Sequence, residues 1–229
     1  MLHTRKTFHL PGNPSQKMDY LLFLPKDYER RNDPLWPLIL FLHGRGESGD
    51  DPTLVLRTGL PEHIERHPEF PFITVSPQCP DRSSWVIETE MVHLLLQDVI
   101  SSLPVDPERI YLTGISMGGA GAWHLGSQYP ELFAAVAPIC GFGQTHLGYP
   151  KRACALKNTP VWTFHGARDT VVPLEASRDL VDALEQCGGD VKFTVYPDAG
   201  HDSWTRTYEN PDLYGWFLEH SLGRTRIQA

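Results

Sequence analysis

Short apolar runs bounded by turn residues recur along the chain, at Met18–Leu24, Pro37–Leu42, Phe72–Ser76, Ile110–Thr113, Ala134–Ile139, Val161–Phe164 and Val191–Tyr196. Runs this short and nearly continuous predict strands buried on both faces, not strands with one wet face. The first gives way to Pro25-Lys26-Asp27 and the second to His43-Gly44. Helical patterns lie between them. Val92, Leu95, Leu96, Val99, Ile100 and Leu103 keep a spacing of three and four, as do Leu174, Ser177, Val181 and Leu184 after Pro173. The stretch Met117–Gln128 is rich in Gly and Ala, which lets a helix pack closely on a sheet, and Pro130 ends it. Asn210-Pro211 reads as the cap and first position of a closing helix through Leu218. Alternating strands and helices predict an α/β fold, a mainly parallel sheet with helices on both faces. In such sheets the site lies at the carboxyl ends of the strands.

Length and charge narrow the classes. The 229 residues fit a single domain spanning 1–229, with no internal repeat or long linker. The formal net charge is −8, and no Lys/Arg cluster offers a footprint for nucleic acid or anionic lipid. No apolar run reaches the roughly 20 residues of a membrane span. The basic start, Met1-Leu2-His3-Thr4-Arg5-Lys6-Thr7, is not followed by the apolar core of a signal peptide, so a cytoplasmic location is expected. Cys79, Cys140, Cys154 and Cys187 are irregularly spaced, and reduced buried thiols are expected.

The chemistry is concentrated just after the strands. Ile110-Tyr111-Leu112-Thr113-Gly114-Ile115-Ser116-Met117-Gly118-Gly119 is a strand, a G-x-S-x-G turn and a small-residue helix. A serine nucleophile needs its hydroxyl clear of the backbone on a sharp turn, where only glycine at 114 and 118 leaves room. In this arrangement the acid and then the histidine follow in chain order. Asp169 lies in the loop after Val161–Phe164, and His201 in the loop after Val191–Tyr196. His201 is therefore the expected base and Asp169 the residue that fixes its tautomer. Asp198 and Asp202 are rivals on the base's own loop, where fixing that loop is the commoner task. A tetrahedral intermediate also needs two converging backbone N–H groups. Met117 should supply one, and Arg45, in the glycine-rich loop His43-Gly44-Arg45-Gly46-Glu47-Ser48-Gly49, the other. Glu47 is read as fixing that loop. His165 is expected to be structural. His63 and His67, four apart on a helix, lack a third ligand and are expected on a solvated face. No metal and no cofactor are called for.

These stretches, together with Val75-Ser76-Pro77-Gln78-Cys79-Pro80, Phe164-His165-Gly166-Ala167-Arg168-Asp169 and Val195-Tyr196-Pro197-Asp198-Ala199-Gly200-His201-Asp202-Ser203-Trp204, resemble the small esterases and predicted peptidases of the α/β-hydrolase superfamily. The nearest groups are the phospholipase/carboxylesterase and feruloyl-esterase-like ones. The likeness runs from about Met18 to Leu218. It implies a serine carboxylesterase with a Ser/Asp/His triad and without metal or cofactor.

The connection from Cys140 to Thr159 is too short for a helical cap domain, so an open site is expected. Trp85, Phe142, Tyr149 and Trp204 fall in loops at its edge and are candidates for an aromatic rim, Trp85, Phe142 and Trp204 being the substrate-binding choices. Short or aromatic carboxylic esters are the expected substrates. A serine peptidase, a lysophospholipase or acyl-thioesterase, and a non-catalytic binding module are the alternatives. Oligomeric state is not legible.

Overall fold

The computed structural model describes residues 2–26, 28 and 35–223. Asp27, in the first turn named above, lies outside them. The strands are β1 (Thr4–Leu10), β2 (Asn13–Phe23), β3 (Trp36–Leu42), β4 (Ile73–Pro77), β5 (Val105–Ile115), β6 (Ala135–Ile139), β7 (Val161–Gly166) and β8 (Val191–Tyr196). They form one sheet in the order β1-β2-β4-β3-β5-β6-β7-β8. β2 runs antiparallel to β1 and β4, and all other neighbours are parallel. The helices are α1 (Gly59–Arg66), α2 (Thr89–Ser102), α3 (Met117–Gln128), α4 (Leu174–Gln186), α5 (Trp204–Tyr208) and α6 (Pro211–Glu219).

Two apolar cores flank the sheet. Leu38, Leu40 and Leu42 of β3 and Ile110 and Leu112 of β5 face one side, where they meet Val92, Leu95, Leu96 and Val99 of α2, Trp123 of α3 and Leu180 of α4. Ile39, Phe41, Tyr111 and Ile115 face the other, against Leu60 and Ile64 of α1 and Leu213 and Phe217 of α6. Every residue of β3 is buried, so the near-continuous apolar strand is the signature of a sheet covered on both faces. This is the α/β-hydrolase fold. Among the described residues no helix is long and apolar enough to cross a membrane.

The order of the strands sets the site. From β3 the chain moves outward to β4 and then returns past β3 to β5. β3 and β5 are thus parallel neighbours whose following loops diverge, the place where a crevice opens at the carboxyl ends. Leu42 pairs with Gly114 in that register, which sets the loop after β3 beside the turn after β5.

Three expectations are corrected. Cys154 and Cys187 form a disulfide across 33 positions, joining the 3-10 segment Lys151–Leu156 to the end of α4; only Cys79 and Cys140 are free, and both are buried. His63 is buried, not on a solvated face: it stacks on His67 at 4.0 Å and on Tyr214 at 5.6 Å. Trp85 is 2% exposed and belongs to the core, because its indole fills the space beside α3 and its nitrogen finds an acceptor inside.

Candidate active site

Ser116 occupies a strained turn between β5 and α3. Its φ of 53° and ψ of −112° lie outside the favoured regions for a residue with a side chain. Two neighbours hold it there: the Ser116 N–H donates to the Ile139 carbonyl at 3.0 Å, and the Ser116 carbonyl accepts from Ala120 N at 2.9 Å. The turn is possible only because Gly118 has no side chain. A Cβ there would lie 1.9 Å from the Leu42 carbonyl oxygen, and one at Gly114 would lie 2.3 Å from the Gly118 oxygen. The sequence reading of the G-x-S-x-G turn is thus a packing statement about β3, β5 and α3.

The loops after β7 and β8 bring the partners. His201 Nε2 lies 3.0 Å from Ser116 Oγ, and His201 Nδ1 lies 2.7 Å from Asp169 Oδ2. Asp169 Oδ1 accepts from the N–H groups of Val171 at 2.8 Å and Val172 at 2.9 Å. Burial alone would raise the Asp169 carboxyl, but the hydrogen bonds from His201, Val172 and Val171 outweigh it and hold the group below its ordinary value. The carboxylate is therefore ionised at neutral pH and accepts from His201 Nδ1–H. That leaves the Nε2 lone pair facing the serine hydroxyl, the tautomer in which His201 can take the serine proton. Asp198 and Asp202 are fixed elsewhere: Asp198 pairs with Arg206, and Asp202 accepts from Thr205.

Arg45 begins the 3-10 turn Arg45–Glu47, and Met117 begins α3. First-turn N–H groups have no acceptor within their own helix, so both amides are free to serve an outside oxygen. The Gly44 backbone abuts the turn, since a Cβ built on it would lie 3.8 Å from the Ile115 carbonyl. The Arg45 side chain is exposed.

Residues whose part the sequence did not reveal brace this loop from beneath. His43 is fully buried. Its Nε2 accepts from the Cys79 N–H at 2.9 Å, so Nδ1 carries the proton and donates to the Gly44 carbonyl. Burial lowers His43 to about 4, keeping it neutral. The Gln78 amide nitrogen donates to the carbonyls of Glu47 at 2.8 Å and Asp51 at 2.9 Å. Glu47 itself has its carboxyl raised by burial. The only available signal for these roles was the His-Gly pair at the end of a strand, at 43–44 and again at 165–166.

Of the candidate rim, Phe142 and Trp204 are half-buried, and Trp204 meets His201 edge to face at 5.3 Å. Tyr149 is buried, its hydroxyl donating to the Trp123 carbonyl. Cys140, Asp169 and His201 offer sulfur, oxygen and nitrogen atoms within 4.8 Å of one another. As a cation site the set fits poorly. Burial pushes the Cys140 thiol up to about 12, and Asp169 and His201 already satisfy each other.

A fold of this order with a serine, a histidine and an aspartate aligned at the ends of β5, β8 and β7 defines the α/β-hydrolase class. The chain belongs to the phospholipase/carboxylesterase family, whose model matches residues 70–210. It is 35% identical over 135 residues to a putative carboxymethylenebutenolidase of Salmonella typhimurium, covering 50% of this chain and 48% of the relative. It is 30% identical over 138 residues to the carboxylesterase SOBER1 of Arabidopsis thaliana, covering 58% of each chain. The chain thus spans about half the length of the curated relatives it matches. A crystal structure of a thermostable esterase superposes with a TM-score of 0.83 at 35% identity, over 96% of this chain and 63% of that one.

Proposed function

We propose that the protein is a serine carboxylesterase that cleaves short-chain or aromatic carboxylic esters through an acyl-enzyme on Ser116. The observation that carries this reading is the line Ser116 Oγ–His201 Nε2, His201 Nδ1–Asp169 Oδ2, at 3.0 and 2.7 Å. His201 takes the serine proton as Oγ attacks the ester carbonyl, then returns it to the departing alcohol. Asp169 stays ionised and stabilises the imidazolium between those steps. The developing oxyanion is met by the N–H groups of Met117 and Arg45, in front of the positive end of α3. Water then repeats the sequence on the acyl-enzyme. No step calls for a metal or cofactor. Phe142 and Trp204 form the acyl-side rim.

Family membership and the esterase-like relatives support this reading over a peptidase or a binding module. The test is labelling with a fluorophosphonate probe, mapped by peptide mass, together with turnover of p-nitrophenyl acetate. Adduct formation on Ser116 and ester hydrolysis are expected. Labelling elsewhere, or labelling without turnover of any ester, would refute the assignment.

A further inference from the structure

Two histidine rings lie against Asp169 Oδ2, and the proposed mechanism uses only one. His165, next to last in β7, is completely buried. Its Nε2 lies 2.9 Å from the Val172 carbonyl oxygen and 3.2 Å from Asp169 Oδ2. Both neighbours only accept, the carboxylate being ionised, so Nε2 must carry a proton. Its Nδ1 lies 2.8 Å from Ser177 Oγ on α4, and that hydroxyl in turn lies 2.9 Å from the Gly141 carbonyl. The single serine proton can point to Nδ1 or to Gly141. In either case Nε2–H remains aimed at the Asp169 loop.

That loop has reason to be held. Ala167, Arg168, Thr170 and Val171 are exposed, and a carboxylate on an exposed loop keeps its angle only if something rigid fixes it. The backbone N–H groups of Val171 and Val172 take Oδ1, so the backbone of those two residues sets the angle of the carboxylate. His201 cannot set that angle, because it is the group to be oriented. We infer that His165 is a positioning residue for the Asp169–His201 pair. Its Nε2–H donates to the Val172 carbonyl and so fixes the backbone whose N–H groups hold Asp169 Oδ1, while the ring edge stands 3.2 Å from Asp169 Oδ2 and Ser177 sets the ring from behind. The titratable groups grouped around Asp169 are His201, His165 and the buried thiol of Cys140.

The inference rests on the esterase reading for its kinetic consequence but not for its geometry, and the test separates the two. His165→Gln keeps an N–H donor near the position of Nε2 and loses the contact with Ser177. His165→Asn keeps a polar group near Nδ1 and loses the donor to the Val172 carbonyl. For each variant, kcat and KM for p-nitrophenyl acetate, the thermal midpoint, and the downfield proton resonance of the His201 Nδ1–H are measured. The expected result is that His165→Gln keeps most of kcat and the resonance. His165→Asn should lose about ten- to a hundred-fold in kcat at unchanged KM, as expected when the buried Val172 carbonyl loses its donor and the loop that holds Asp169 loosens, and its resonance should move or vanish. A wild-type kcat and an unshifted resonance in His165→Asn would overturn the inference. So would equal losses in both variants that track a fall in thermal midpoint, because His165 would then be a packing residue. Should the wild-type protein neither hydrolyse esters nor label at Ser116, the esterase reading fails, and the resonance still decides the role of His165.

Discussion

The indole nitrogen of Trp85 donates to the carbonyl oxygen of His43 at 2.8 Å, inside the core and directly beneath the loop that carries Arg45. The same carbonyl lies against α3, since a Cβ on Gly118 would come within 2.7 Å of it. Trp85 therefore ties the end of β3 to the turn that holds Ser116. Trp85→Phe would keep an aromatic ring, smaller than the indole, and leave the His43 carbonyl without this donor. An unsatisfied buried acceptor costs about 1–3 kcal/mol. The expected variant folds with a lowered thermal midpoint and a reduced kcat at similar KM, read by calorimetry and ester kinetics. Unchanged stability and kcat would show that the bond has no part in shaping the loop.

Removing the serine hydroxyl should separate chemistry from folding. Ser116→Ala is expected to lose on the order of a million-fold in kcat, the scale seen for a serine protease nucleophile, while the thermal midpoint holds. Asp169→Asn should lose about ten-thousand-fold, the scale of the same change in a Ser-His-Asp protease triad, because an amide favours the wrong imidazole tautomer. Residual activity above a few per cent in Ser116→Ala would place the nucleophile elsewhere.

Stability should fall as the solution becomes acid, most of all through the two buried histidines lowered furthest, with His3 and His124 adding in the same direction. Burial lowers His43 and His63 to about 4, from an ordinary 6.5. Below about pH 6.5 the unfolded chain binds protons at these sites and the folded chain does not, so the stability present at neutral pH is lost as pH falls toward 4. Asp169, held low by its hydrogen bonds, adds loss in the same direction below about pH 4. His63→Phe should flatten the decline in urea midpoint between pH 7 and 5, since the site is already walled by Phe70 and Tyr214. An equally steep decline in the variant would exclude His63 as a source.

Chelation should leave ester turnover untouched. In the Cys140/Asp169/His201 group beside the serine, Asp169 and His201 are committed to each other, and His63 is stacked among aromatic rings. Ester turnover after dialysis against EDTA is expected to equal that before. Loss of activity restored by zinc would contradict this.

What the sequence made legible follows from which features are local. The G-x-S-x-G turn carries its own structural reason, and the chain order of Ser116, Asp169 and His201 follows from the buried apolar ends of β5 and β7 and from the partly covered edge strand β8. β1 was not legible. Its residues Thr4–Leu10 are exposed except for Phe8 and the partly covered Leu10, so an outer strand leaves little hydrophobic pattern. Nor was α5, five residues long and lacking room for a periodicity. The pairing of Cys154 with Cys187 depends on where α4 meets the preceding 3-10 segment, which no local signal encodes. Trp85 misled for a related reason. A tryptophan between helix and strand reads as a loop residue, and only the fold shows that the loop turns it inward. His165 was read as structural, and it is buried, but its contact with Asp169 depends on the curl of the loop between them.

Acyl-chain preference should follow from the segment after β6. It consists of two short 3-10 turns, Thr145–Leu147 and Lys151–Leu156, the second tied to α4, and it supplies no helical cap over Ser116. Each methylene buried in a true acyl channel would contribute roughly 0.8 kcal/mol, making longer esters steadily better substrates. An open site bordered by Phe142 and Trp204 can cover only the first few carbons before the chain trails into water. The value of kcat/KM is therefore expected to peak at acyl chains of about two to four carbons and to fall by octanoate, measured across p-nitrophenyl esters below their micellar limits. Trp204, edge-on to His201 at 5.3 Å, should matter most when the acyl group is a ring. Trp204→Ala is expected to raise KM for a cinnamate or benzoate ester well beyond its effect on acetate. A steady rise in kcat/KM through decanoate would replace the open site with a lipase-like channel. Equal effects of Trp204→Ala on acetate and cinnamate would remove Trp204 from the acyl rim and leave it as a packing partner of the His201 ring.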